Sequence, residues 1–143
     1  MKNKGHTLSS KKFNLFVYGT LRQDGHLHQN YGISDQKFLG KGTVEGEMFV
    51  LRETVPFVTL SNNGSRVVGE TYEASYDIMH GLLTLEEGYQ RKIVDVTLDN
   101  GTTVQALMFY TDYTAQQLMN AGCIKIKDND YIKYLIRRGY LRK

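Results

Sequence analysis

Apolar positions along the chain follow two spacings, one of two residues and one near 3.6, and the switches between them predict the elements. Phe13-Asn14-Leu15-Phe16-Val17-Tyr18 has the aromatic and β-branched content of a strand, and Gly19 ends it. Thr20 to Gly32 is polar with an Asp24-Gly25 turn signal, which predicts a loop. Val44, Met48 and Val50 fall at strand spacing, and the glycines at 40, 42 and 46 predict bends or bulges. Phe57 to Leu60, the Asn62-Asn63-Gly64 turn and Val67 to Tyr72 together predict a hairpin. The spacing then becomes helical: Ile78, Met79, Leu82 and Leu85 follow a Ser75 cap, with Gly88 as the stop. Lys92 to Leu98 and Thr103 to Tyr110 alternate around Asp99-Asn100-Gly101 as a second hairpin. Thr114 and Gln117 have the spacing of a capping box before a short helix ending at Gly122. A last helix is predicted over 129–138, with Ile132, Leu135 and Ile136 on one face, basic residues on the other and Gly139 at its end.

Strands outnumber helices and hairpins dominate, so the expected class is α+β: a small curved mixed β-sheet or partly closed barrel with flanking helices. With 143 residues and no internal repeat, one domain over 13–143 is expected, preceded by a flexible basic tail over 1–12. The formal charge of +3 hides a division. Residues 1–12 hold four lysines and no acid, residues 13–119 hold seven bases and thirteen acids, and residues 120–143 hold seven bases and two acids. An acidic body with basic ends weakens any reading of the whole domain as a nucleic-acid binder. A single cysteine, Cys123, excludes an intramolecular disulfide, and no apolar run approaches the ~20 residues that span a bilayer. The expected location is cytoplasmic, with no membrane partner, and the sequence leaves the oligomeric state open.

Common catalytic signatures are missing. His6, His26, His28 and His80 are scattered without partner ligands, so no metal is expected, and there is no GxSxG elbow or Walker loop. Nothing near Cys123 activates it, and a small buried thiol is its ordinary reading. Two features remain. Gly19, directly after a buried-looking strand, lets the Tyr18-Gly19-Thr20-Leu21 segment turn sharply and aim successive N–H groups into a cavity. Taken alone, this is also what any strand end looks like. The second feature is Glu86-Glu87 at the C-terminal end of the central helix, where the macrodipole disfavours negative charge. Glu86 follows Leu82 by four residues on the apolar side, whereas Glu87 is rotated toward solvent. A carboxylate pressed toward a cleft is a candidate general base, and a frayed, solvated helix end is the plain alternative.

Both features coincide in a known pattern. Tyr18-Gly19-Thr20-Leu21, Gly46-Glu47-Met48-Phe49, Val55-Pro56 with the chain's one proline, Val68-Gly69-Glu70-Thr71-Tyr72 and the helix end before Tyr89-Gln90-Arg91 follow one another in order. In these the sequence resembles the γ-glutamylcyclotransferase-like family, in particular its γ-glutamylamine cyclotransferase and AIG2-like branch. The resemblance implies an enzyme that cyclises a γ-glutamyl amine or γ-glutamyl amino acid to 5-oxoproline and releases the amine, without a cofactor. It implies Glu86 as the catalytic acid and base, with Glu87 as its rival, and substrate held by Tyr18, Gly19, Thr20 and Leu21. Two positions depart from the pattern: Leu83 stands where the family usually has aspartate, and the stretch between the glutamate and Tyr89 is short. These departures keep two alternatives open: a non-catalytic small-ligand binder of the same fold, and an adaptor acting through the basic C-terminal helix.

Overall fold

The structure, a computed structural model, describes residues 11–142. Most of the expected tail, with His6, lies outside the described residues. Eight strands and three helices follow in order: β1 (Lys12–Val17), β2 (Lys37–Glu45), β3 (Glu47–Leu51), β4 (Val55–Thr59), β5 (Arg66–Ser75), α1 (Met79–Leu85), β6 (Gln90–Leu98), β7 (Thr103–Tyr110), α2 (Ala115–Asn120), β8 (Ile124–Lys125) and α3 (Tyr131–Arg137). Five strands form a closed barrel in the order β1-β5-β2-β6-β7. Its seam is the parallel pair of β1 with β7 at Leu15 and Leu107, and its other pairings are antiparallel. The mixed curved sheet expected from the sequence is therefore present, and it closes fully.

Two buried clusters follow from the alternation within β1. Phe16 and Tyr18 point to one core with Val44, Met48, Val67, Val96 and Met108, which extends under α3 through Tyr131 and Tyr134. Leu15 and Val17 point to the other, where Leu82 of α1 packs with Ile33, Tyr72 and Phe109. Leu82 is fully buried, which stabilises the docked helix by roughly 1.5–3 kcal/mol. Ser75 Oγ accepts from Asp77 N–H at the start of the short 3-10 turn that leads into α1. The Thr114–Gln117 capping box is formed at α2, and Asp130 caps α3 by accepting from Lys133 N–H at 3.1 Å.

One expected pairing is corrected. β4 and β5 do not form a hairpin: β4 pairs with β3 in a separate three-stranded sheet, order β4-β3-β8, while β5 lies between β1 and β2. Both edges of β5 are thus taken, as befits a ten-residue strand buried along most of its length. The Asn63 turn is locally satisfied through bonds from Ser65 N–H and Ser61 Oγ, so it connects the two sheets without pairing the strands beside it. Pro56 sits in an outer strand of the small sheet, where a missing N–H is tolerated.

Bases of the C-terminal region pair with two acids of the body, Glu47 and Glu53, and with the region's own Asp128. Lys125 pairs with Glu47 at 3.7 Å, Arg137 with Asp128 at 2.9 Å and Arg138 with Glu53 at 2.7 Å. Among the described residues, no helix is long and apolar enough to cross a membrane.

The crossing of β1 over β5 requires Gly69, where an added Cβ would lie 2.4 Å from the Val17 carbonyl oxygen and 2.5 Å from the Phe16 ring. Gly69→Ala is expected to lower stability by about 1–3 kcal/mol through overpacking, read as a lower urea midpoint at unchanged slope. An unchanged midpoint would show that the two strands have room to separate.

Candidate active site

The site begins where β1 ends. Beyond Val17 the chain turns at Tyr18-Gly19-Thr20-Leu21, and every carbonyl from Gly19 to Leu21 is engaged within the protein. Arg22 N–H donates to Gly19 O at 3.0 Å, Leu27 N–H to Thr20 O at 3.0 Å, and His28 Nδ1 lies 2.8 Å from Leu21 O. Because a carbonyl oxygen only accepts, that His28 nitrogen carries the proton. The N–H groups of Thr20 and Leu21, by contrast, donate to no partner among the described residues. The turn thus uses its acceptors internally and keeps donors available.

Packing fixes this turn. A Cβ on Gly19 would fall 2.6 Å from Pro56 Cγ, so only glycine lets the proline ring rest on the backbone here. Tyr18 is buried and its hydroxyl donates to Phe109 O at 2.8 Å. Behind the turn, Arg22 is buried between two acids, with Nε 3.0 Å from Glu70 Oε2 and Nη1 2.9 Å from Asp130 Oδ1. Glu70 also accepts from Gln23 N–H at 2.8 Å and from the Tyr72 hydroxyl at 2.9 Å.

Glu86 follows the last residue of α1, and its N–H donates to Leu82 O at 2.9 Å. It is half-buried and lines a cavity of about 400 Å³ together with Tyr18, Gly19, Thr20 and Leu21, whereas Glu87 is exposed. No hydrogen bond or ion pair reaches the Glu86 carboxylate among the described residues. Desolvation therefore acts uncompensated and raises its pKa from the ordinary 4.5 to about 7. The phenols of Tyr18 and Tyr89 are pushed well up, first by burial and further by the Glu86 charge, so both remain neutral. Tyr89 stacks on Phe57 at 5.4 Å between ring centroids, and its hydroxyl donates to Pro56 O at 3.1 Å.

The five positions named from the sequence are gathered around one cavity. Sequence reasoning gave no role to Pro56, Tyr89, or the mouth residues His26, Thr54 and Val55, which join them. A lone proline and a Tyr-x-Arg beside the glutamate were the available signals for the first two, but neither indicates what the side chain touches. Cys123 is buried outside the cavity beside Phe49 and Leu118, and burial pushes its thiol up. Among the described residues, no group of three or more His, Cys, Asp or Glu side chains is placed to hold a metal ion. A carboxylate titrating near neutrality beside unpaired backbone donors can move a proton and stabilise a developing oxyanion.

A family model described as "Gamma-glutamyl cyclotransferase, AIG2-like" matches residues 15–133. The chain belongs to that family. It is also 30% identical over 114 residues to the Methanocaldococcus jannaschii protein named "Putative gamma-glutamylcyclotransferase MJ1514", covering 78% of this chain and 94% of that one. In fold, it is similar to an AIG2-like protein of Mus musculus, with a TM-score of 0.68, 22% identity, and coverage of 84% of this chain and 88% of that one. YkqA of Bacillus subtilis matches with a TM-score of 0.72 and 23% identity over 92% of this chain, which spans only 44% of YkqA. As a member of the gamma-glutamyl cyclotransferase, AIG2-like family, the chain is an enzyme of cyclotransferase type.

The raised pKa of Glu86 has a measurable sign. Folded Glu86 keeps its proton up to about pH 7, while the unfolded side chain releases it near 4.5, so the native state binds the extra proton between these values. Stability from this group is present below the lower value and lost as pH rises through the upper one. Glu86→Gln is expected to gain stability relative to the native chain between about pH 5 and about pH 8, on the order of 1–3 kcal/mol by linkage. Urea unfolding at both pH values measures this, and a difference independent of pH would place the carboxylate at its ordinary pKa.

Proposed function

We propose that the chain cyclises a γ-glutamyl amine or γ-glutamyl amino acid to 5-oxoproline, with Glu86 as acid and base and the Tyr18–Leu21 turn as the anion-binding element. The observation that carries this reading is the shared cavity: a desolvated carboxylate beside backbone N–H groups, neither with a hydrogen-bond partner among the described residues.

The substrate α-amine arrives as an ammonium. Glu86 takes one proton from it, and the freed nitrogen attacks the γ-carbonyl carbon of the same glutamyl unit, forming the ring C–N bond. Negative charge moves to the carbonyl oxygen, where a well-placed N–H donor stabilises the transition state by roughly 3 kcal/mol. The tetrahedral intermediate then collapses: the C–N bond to the amine breaks as Glu86 returns its proton to the departing nitrogen, and Glu86 then takes the second proton of the ring nitrogen and passes it to the released amine, which leaves as an ammonium. A pKa near 7 suits both directions of transfer. Nucleophile and electrophile belong to one molecule, so holding the glutamyl unit folded in the cavity supplies much of the acceleration as effective molarity. The step consumes no water, electron or cofactor.

The position of Leu83 favours turnover over mere binding. Leu83 lines a separate surface groove with Phe13 and Ile93, away from the Glu86 cavity, so its replacement of the usual aspartate leaves the reacting groups in place.

Glu86→Gln is expected to abolish 5-oxoproline release while folding normally, and Glu87→Gln to retain it, measured against a panel of γ-glutamyl amines and dipeptides. In the native chain, kcat/KM should rise with pH through a midpoint near 7, as the base form of Glu86 appears. Loss in Glu87→Gln with full activity in Glu86→Gln would transfer the role to the neighbour.

A further inference from the structure

The floor of the cavity is buried, at Phe16, Val17 and Gly19, and its mouth is formed in part by the exposed Thr54 and Val55. An amine released from a glutamyl unit held at the floor must leave past that mouth. Thr54 and Val55 follow a turn between β3 and β4 in which two consecutive side-chain-bearing residues are left-handed, Arg52 at φ 52° and Glu53 at φ 71°. Such a pair is costly and persists only where surrounding contacts over-determine it.

Those contacts come from α3 and the residues after it. The Tyr131 hydroxyl donates to Thr54 O at 2.5 Å and the Tyr134 hydroxyl to Glu53 O at 2.8 Å. The Glu53 carboxylate accepts from Arg138 at 2.7 Å and from the Tyr140 hydroxyl. Arg138 and Glu53 are both about half exposed, so solvent screens their pairing. The two tyrosine bonds reach the backbone from rings that are almost fully buried, and they carry the restraint. Asp130, one residue before α3, holds Arg22, which directly follows the Tyr18–Leu21 turn that lines the same cavity. The basic, tyrosine-rich segment thus holds both the Arg52–Thr54 turn and the residue that follows Leu21.

We infer that Tyr131 and Tyr134 are positioning residues for substrate selection: by holding the strained Arg52–Thr54 turn, they set the wall past which the leaving amine extends, and so the size of amine accepted. This rests on the cyclotransferase reading above. Neither ring lines the cavity, and their effect passes entirely through the turn.

The test compares the native chain with the double variant Tyr131→Phe/Tyr134→Phe, and with Tyr134→Phe alone as the milder change. Two substrates are used, the γ-glutamyl derivatives of methylamine and of hexylamine. Expected is a rise in KM of roughly tenfold for the hexylamine derivative, less than the hundredfold that a full ~1 Å misplacement of reacting groups can cost, with little change in kcat or in the methylamine reaction. Amide hydrogen exchange should quicken over residues 52–57 in the same variants. Equal losses on both substrates, or an unchanged ratio in the folded single variant, would overturn the assignment while leaving the enzyme reading intact. A native chain that releases no 5-oxoproline from either compound, or from the wider panel, would overturn both.

Discussion

Arg22, buried between Glu70 and Asp130, is the constraint on which the site depends. It joins three elements far apart in sequence: the turn after β1, the central strand β5, and the cap of α3. Its guanidinium is almost fully removed from water, and so are both acids. Removing one member of such a group strands an uncompensated charge, a loss of about 3–5 kcal/mol. The turn therefore cannot drift from β5 or α3 without breaking it. With the Gly19, Thr20 and Leu21 carbonyls engaged as well, the turn is held by its acceptors, while the Thr20 and Leu21 N–H groups donate to no partner among the described residues.

The protein buries carboxylates in two contrasting ways. Glu70 receives an arginine, a backbone N–H and a phenol, and Asp130 receives an arginine and the N–H of Lys133. Glu86 lies partly buried at a helix C-terminus with no partner among the described residues, where desolvation and the helix dipole both favour its protonated form. The first arrangement gives rigidity. The second costs stability above neutral pH and leaves a group able to exchange a proton with substrate. Rigid pairs hold the turn and the strand, and the solitary carboxylate faces the space they define.

Much of the local structure was legible in the sequence because its cause is local. The β6–β7 hairpin, the Thr114–Gln117 capping box and the Ser75 cap are set by residues a few positions apart, and they appear where the pattern placed them. The β4–β5 pairing failed because a turn signal fixes the turn and not the partner: β5 has two neighbours drawn from distant sequence, and they outcompete the adjacent strand. Within the site, helix geometry put Glu86 on the apolar side and Glu87 toward solvent, and Glu86 lines the cavity while Glu87 is exposed. The Arg22–Asp130 contact spans 108 residues, and no periodicity announces it. The same holds for Pro56 on Gly19 and for the tyrosines of α3 on the Glu53 turn, where packing between elements decides the contact.

The most direct measurement is a crystal structure with 5-oxoproline bound. In the proposed cyclisation its ring nitrogen is the former α-amine and its ring carbonyl the former γ-carbonyl, so both ends of the mechanism are visible in one molecule. The carbonyl or carboxylate oxygen should accept from the Thr20 and Leu21 N–H groups, with the Glu86 carboxyl group at hydrogen-bond distance from the ring nitrogen. Product bound away from this cavity, or bound within it with Glu86 turned to solvent, would contradict the assignment of the site.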